Sequence, residues 1–177
     1  MSQPPHFDIN GSIYFITTRL SQRTRLFTED EAEIVEETIS DLASRKEMML
    51  YAYVIMPDHI HLLIRPINLG ISKTVQLIKG RASRKINKGS FWQKGFFDFA
   101  ILTDKKFSEK FNYIHYNPVK RGLAEKAEDY KYSSAMGYKI KYGEVFYEKW
   151  EAKASRTHDN HCFPLFIYCL WTQTCCD

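Results

Sequence analysis

The sequence predicts an α+β domain, an antiparallel sheet with helices on one face and one extra helix after the last strand. Three observations predict it. Segments rich in β-branched and aromatic residues alternate with segments of helical periodicity in the order strand, helix, strand, strand, helix, strand. The tetrad Thr28-Glu29-Asp30-Glu31 is a capping box, in which a threonine hydroxyl and a glutamate three residues on satisfy each other's backbone amides. Pro57-Asp58 interrupts two consecutive strand-like runs, as a tight hairpin requires.

Taken in order, Ser12 to Arg19 (SIYFITTR) reads as the first strand. The capped helix that follows carries Ala32, Val35, Ile39 and Leu42 on one face and ends near Lys46; its acidic outer face is expected to turn away from any anionic ligand. Met48 to Met56 and His59 to Arg65 read as an antiparallel pair of strands. A second helix is predicted from Ser72 to about Ile86, with Val75, Ile78 and Ala82 inward, and a fourth strand from Phe96 to Leu102. Asp104 is placed to cap a third helix through Phe107, Phe111, Ile114 and Tyr116, ending near Asn117 because the residue before Pro118 disfavours helical geometry. This order describes the split β-α-β arrangement called ferredoxin-like, or RRM-like. Beyond Gly122 the chain is polar and tyrosine-rich, with at most short helices.

At 177 residues the chain suits one domain with a proper core. The expected boundaries are 1–153 for that domain and 154–177 for a tail of different composition. All four cysteines (Cys162, Cys169, Cys175, Cys176) fall in the tail, so no disulfide framework supports the domain. His158, His161, Cys162 and Cys169 match no standard zinc-knuckle spacing. No apolar run approaches membrane-spanning length, and MSQPPHFDIN is no signal peptide, so the expected location is the cytoplasm.

The net charge of +4 matters less than its distribution. Between His59 and Phe97 there is no Asp or Glu, while Arg65, Lys73, Lys79, Arg81, Arg84, Lys85, Lys88 and Lys94 all lie there. Such a one-sided segment suggests a polyanionic partner, nucleic acid foremost.

Two stretches can carry chemistry. In Asp58-His59-Ile60-His61, the histidines share one face of a strand because side chains alternate across the pleat. They form a pair able to share one divalent ion, with a further ligand from elsewhere. Two neutral imidazoles with an oxygen ligand suit Mn²⁺ or Mg²⁺ in use. In Tyr113-Ile114-His115-Tyr116-Asn117-Pro118, Tyr113 and Asn117 lie four apart on one helical face, offering a phenol and a carboxamide. A phenol is a weak nucleophile until a cation or base favours its phenolate. The same pattern also fits an amphipathic helix whose tyrosines pack half-buried.

The ordered set YAYVIMPDHIHLLI, the basic helix, FWQKGFFDFAI, YIHYNPVKRGL and YKYSSAMGY resembles the HUH single-stranded DNA endonucleases, within them the single-tyrosine transposases of the REP-associated branch. The resemblance runs from about Ile13 to Tyr138. It implies that His59 and His61 are metal ligands, that Tyr113 is the nucleophile with Tyr116 as its rival, and that Asn117 is the third ligand, where the insertion-sequence branch has a glutamine. It implies cleavage and rejoining of single-stranded or hairpin (REP-like) DNA through a covalent 5′-phosphotyrosine. Lys79, Arg81, Arg84, Lys85 and Lys88, with Arg65 and Lys94, would follow the DNA backbone. Asp98 and His115 would support the site, although Phe99 stands where relatives often have a histidine. The chain is expected to act as a monomer, a homodimer with exchanged tyrosine helices being the alternative. Two other functions fit the fold: a non-catalytic nucleic-acid-binding module or domesticated DNA-binding relative, and a phosphodiesterase using water in place of Tyr113.

Overall fold

The computed structural model describes Ile9, residues 11–22 and residues 25–142, the last four by their backbone alone. The tail from residue 154 and its histidines and cysteines lie outside the described residues.

Four strands form one antiparallel sheet in the order β2-β3-β1-β4: β1 (Ile13–Arg19), β2 (Met48–Ile55), β3 (His59–Pro66) and β4 (Phe97–Ile101). Helices α1 (Glu29–Ser44) and α2 (Ile71–Ile86) follow β1 and β3, and α3 (Asp104–Lys120) follows β4. A single 3₁₀ turn at Ala127–Asp129 and a short helix α4 (Ala135–Tyr142) complete the described chain. The expected ferredoxin-like order is therefore the one observed.

Each face of the sheet has its own core. Tyr14, Ile16, Ile60, Leu62 and Ile64 project to one side, where Ala32, Val35, Ile39 and Leu42 of α1 and Ile71, Val75, Ile78 and Ala82 of α2 cover them. Phe15, Val54, Met56, Leu63 and Ile101 project to the other, under Phe107, Phe111 and Ile114 of α3. In β2 an extra residue, Tyr51, sits between Leu50 and Ala52 in the pairing with β3. This bulge shifts the alternation by one, so Met48 and Leu50 before it and Tyr53 and Ile55 after it all reach the α1/α2 core.

The capping box of α1 forms as the sequence predicts: the Glu31 amide donates to Thr28 Oγ1 (3.3 Å) and the Thr28 amide to Glu31 Oε2 (3.1 Å). Two expectations for α3 need correction. Its cap is Thr103, whose hydroxyl accepts from the Lys106 amide at 3.2 Å, one residue before Asp104. The helix also runs through Pro118 to Lys120. Pro118 and Asn117 are buried, and this packing outweighs the local preference of a pre-proline residue. Gly122, at φ 67°, then supplies the left-handed residue that ends the helix.

Candidate nuclease site

The histidine pair is mounted on a short, well-pinned hairpin. The Met56 amide donates to the His59 carbonyl at 2.8 Å across the turn. The Leu20 amide holds the Asp58 carbonyl (3.0 Å) and the Phe27 amide the Pro57 carbonyl (2.8 Å). His59 and His61 then leave β3 on the α3 face, with Ile60 in the opposite core as alternation requires. Both rings are almost fully buried, and their Nε2 atoms lie 3.1 Å apart.

The protonation states follow from the partners. Asp58 Oδ1 is 2.6 Å from His59 Nδ1. Burial acts to raise the Asp58 carboxyl, but the His59 hydrogen bond and the charges of Arg19 and Arg121 outweigh it and hold the group below its ordinary value. Burial lowers His59 despite Asp58, and pushes His61 down to about 3, aided by His59, Arg121 and Arg19. Both rings are thus neutral at physiological pH. A carboxylate can only accept, so His59 Nδ1 carries its proton and Nε2 presents a lone pair. On the other ring, His61 Nδ1 lies 2.8 Å from Thr17 Oγ1. Where the Thr17 hydroxyl donates to Nδ1, His61 Nε2–H donates to His59 Nε2; where Nδ1–H donates to the hydroxyl, two lone pairs face each other across 3.1 Å and can share a cation.

Such a cation suits the donor set. Ligand bonds of about 2.0–2.1 Å to imidazole nitrogen are compatible with this separation, and each ring already has an oxygen on its far nitrogen, as metal-bound histidines do. Among the described residues no group of three or more His, Cys, Asp and Glu could hold a metal.

Helix α3 supplies the remaining parts. The Tyr113 ring lies 5.3 Å from the His61 ring and 5.7 Å from Phe15, centroid to centroid, and remains 43% exposed. Two turns on, at the helix end, Arg121 Nη1 is 3.6 Å from Asp58 Oδ1. Asn117 sits midway, on the same helical face as Tyr113 and Arg121. It is buried, and its Nδ2 has no hydrogen-bond partner. A carboxamide can present its oxygen or its nitrogen in one place, so this unused position fits a ligating oxygen. Tyr116 lies on another face of α3, 51% exposed.

The other expected site residues are not brought here. Asp98 pairs with Ile16 across β1/β4 and therefore points to the α1/α2 face, away from the histidines. His115 is bonded on the inner side of α3. It is fully buried, with Nε2 2.7 Å from Ser134 Oγ and its ring 4.4 Å from Phe111. Since Ser134 Oγ accepts from the Tyr53 amide at 3.0 Å, His115 is part of a link between α3 and β2.

The basic helix α2 covers the sheet face opposite the histidines, and its cations, with Lys88 just beyond its end, meet the acidic face of α1. Arg81 pairs with Asp41 (3.0 Å), Lys85 with Glu37 (3.6 Å) and Lys88 with Glu31 (2.6 Å). Lys79 donates to the carbonyls of Gln93 and Gly95, both at 2.8 Å. Arg84 is exposed and bonded to the Gly80 carbonyl, Lys94 is exposed, and Arg65 donates to Met49 Sδ at the far end of β3.

The cations beside the histidines are ones the sequence pattern did not single out: Arg19, Arg121 and Lys110, whose ammonium lies 5.6 Å from the Tyr113 ring centroid. Asp58 and Thr17 were also missed as supports of the histidines. Asp58 carried a signal, being adjacent to His59. Thr17 had only its polarity in an apolar strand, and its place beside His61 needs the β1/β3 register.

Known proteins share this fold and this family. Residues 9–117 match the family described as Transposase IS200 like. A Haemophilus influenzae protein named after the REP-associated tyrosine transposases is 30% identical over 156 residues, covering 79% of this chain and 88% of its own. A REP-associated tyrosine transposase of Escherichia coli is 24% identical over 136 residues, covering 76% and 82%. The solved structure of a REP-associated tyrosine transposase bound to a REP hairpin superposes with a TM-score of 0.71 at 23% identity, over 81% of this chain and 87% of that one, which establishes a shared fold. With the family match spanning more than half of its length, this chain belongs to the IS200-like transposase family.

Proposed function

We propose that the protein cleaves and rejoins single-stranded DNA beside a hairpin of the REP type through a covalent bond to Tyr113. The observation that carries this reading is the Tyr113 ring 5.3 Å from His61, within one chain and open to solvent. His59, His61 and Asn117 would hold a divalent ion, Mg²⁺ or Mn²⁺, which when bound supplies positive charge for the scissile phosphate. The Tyr113 hydroxyl releases its proton to solvent and its oxygen bonds to phosphorus as the P–O3′ bond breaks. The products are a 5′-phosphotyrosine and a 3′-oxygen that takes a proton from water. The bond energy is kept, so a later 3′-hydroxyl can displace Tyr113 and rejoin strands. Arg19 and Arg121 stand where they can meet phosphate oxygens.

Because one chain supplies both histidines and the tyrosine, a monomer is the proposed acting unit. The cations of α2, Arg65 and Lys94 lie off the scissile position and are assigned only to DNA extending beyond it. The proposed place of action is the cytoplasm; no helix among the described residues is long and apolar enough to cross a membrane.

The test is incubation with Mn²⁺ and a labelled hairpin bearing a single-stranded flank, read on denaturing gels. A protein–DNA adduct that is lost in Tyr113→Phe and kept in Tyr116→Phe supports the proposal. Strand cleavage surviving Tyr113→Phe points to water as the nucleophile, and binding without cleavage points to a non-catalytic module.

A further inference from the structure

On the site face of the sheet, beyond the histidines, β4 is an edge strand carrying two exposed aromatics. Phe97 is 57% and Phe99 39% exposed, values unusual for phenylalanines on a sheet. Their direction is fixed by register. Phe99 pairs with Phe15 and Phe97 with Thr17, the residue that bonds His61, so both rings leave the sheet on the side of the histidines and Tyr113. Phe15 lies beneath, 6.5 Å from Phe97 in edge-to-face contact and 5.7 Å from Tyr113, so the aromatic surface is continuous with the nucleophile. Lys110 stands over it, its ammonium 5.1 Å from the Phe15 centroid, 5.8 Å from Phe99 and 5.6 Å from Tyr113.

Flat, exposed π-faces beside a cation match one chemical repeat: a nucleotide whose base is free to stack and whose phosphate is anionic. A duplex cannot use such a surface, since its bases are already stacked. We propose that Phe97 and Phe99 form a stacking platform for an unpaired base next to the scissile phosphate, with Lys110 holding the adjoining phosphate. The proposal rests on the single-strand reading above and gives it a subsite. RRM-type modules read single strands with sheet-face aromatics; here the same face carries both aromatics and a histidine pair. The platform would fix the phosphate by gripping the base beside it, independently of any hairpin.

The experiment measures binding of the full-length chain to a labelled oligothymidylate, to the same backbone with abasic residues, and to a blunt duplex. Stacking tolerates any base, so no target sequence is needed. The wild-type chain is expected to prefer the base-bearing strand over the abasic one by at least about fivefold. Phe97→Ala/Phe99→Ala is expected to lose that preference while keeping its affinity for the abasic strand and the duplex. Phe97→Tyr/Phe99→Tyr, which keeps the π-faces, is expected to restore it. A preference unchanged in the alanine variant overturns the platform and leaves the transposase reading standing. Wild-type affinity equal for base-bearing and abasic strands does the same. No wild-type affinity for any single strand overturns both. Sedimentation of the same variants covers the remaining occupant: a dimer that the alanine changes dissolve, with DNA preference intact, assigns the patch to a second copy and overturns the proposal.

Discussion

On the α1/α2 side of the sheet, Tyr14, Ile16, Ile60, Leu62 and Ile64 meet apolar helix faces, and the charges that remain pair with one another between the helices. On the α3 side, apolar packing covers only the part of the sheet under Phe107, Phe111 and Ile114; next to it stand Thr17, His59, His61 and a tyrosine open to solvent. Both sides are laid down by the same strands, one residue out of phase. In β3 the even positions Ile60, Leu62 and Ile64 serve the α1/α2 core, while the odd ones run from the histidines to Leu63 of the α3-side core, so the histidines can be changed without touching the first core. A domain that holds two neutral imidazoles 3.1 Å apart gains from this division, since the pair is backed by a core that does not share its residues.

The sharpest way to break the division is at the histidines. His61→Ala should abolish the Mn²⁺-dependent adduct, and Mn²⁺, which should raise the melting temperature of the wild-type chain, should leave that of the variant unmoved. Chelation by EDTA should reproduce both losses in the wild-type chain. On the other face, Ile39→Ala opens a cavity and should cost about 2–5 kcal/mol by urea unfolding, with the adduct yield per folded molecule unchanged. A drop in that yield would show that the faces are not independent.

Between these lies Asp58→Asn, which keeps the shape but removes the carboxylate behind His59; Mn²⁺ affinity should fall about 10–100-fold by titration. Acid should also distinguish the faces, because the deeply buried histidines lie on the α3 side. His61 and His115 are pushed down to about 3 by burial, so both stay neutral in the fold and gain protons near pH 6.5 only when it opens. Their contribution is fully present above about pH 6.5 and is lost as pH falls from there toward 3, by up to about 1.4 kcal/mol per pH unit for each ring. His115→Gln should make the fall in urea midpoint with pH shallower; an unchanged slope would mean that His115 is not held neutral. The smallest effect belongs to the α1–α2 ion pairs, whose partners are partly exposed: Arg81→Ala should cost no more than about 1 kcal/mol.

The sheet, the capped helix and the pairing of His59 with His61 were legible because each rests on a local rule: alternation, a capping tetrad, a proline-marked turn. The Tyr113/Asn117 face was legible from helical spacing once the helix was located. What was not legible depended on which elements become neighbours. The basic run in α2 reads as a nucleic-acid surface until α1 is found beside it with Asp41, Glu37 and Glu31 in reach. Asp98 follows a glycine and two aromatics in a suggestive motif, yet its parity along β4 sends it to the other face. Thr17 joins the site only through register, and Arg121 only through a last helical turn that local preference at Pro118 argued against.

The cross-helix ion pairs have a consequence for how DNA binding should respond to salt. A cation that tracks a phosphate strengthens binding largely by letting condensed counterions escape into solution, about 0.7 per phosphate contact on a single strand. A cation that first has to leave a carboxylate exchanges one fixed negative partner for another, and frees a carboxylate that gathers salt ions of its own. Arg81, Lys85 and Lys88 are in that position, and Lys79 is occupied by two carbonyls. The slope of log affinity against log salt should therefore be far smaller than the basic composition of α2 suggests, set instead by the few cations gathered around the histidine pair.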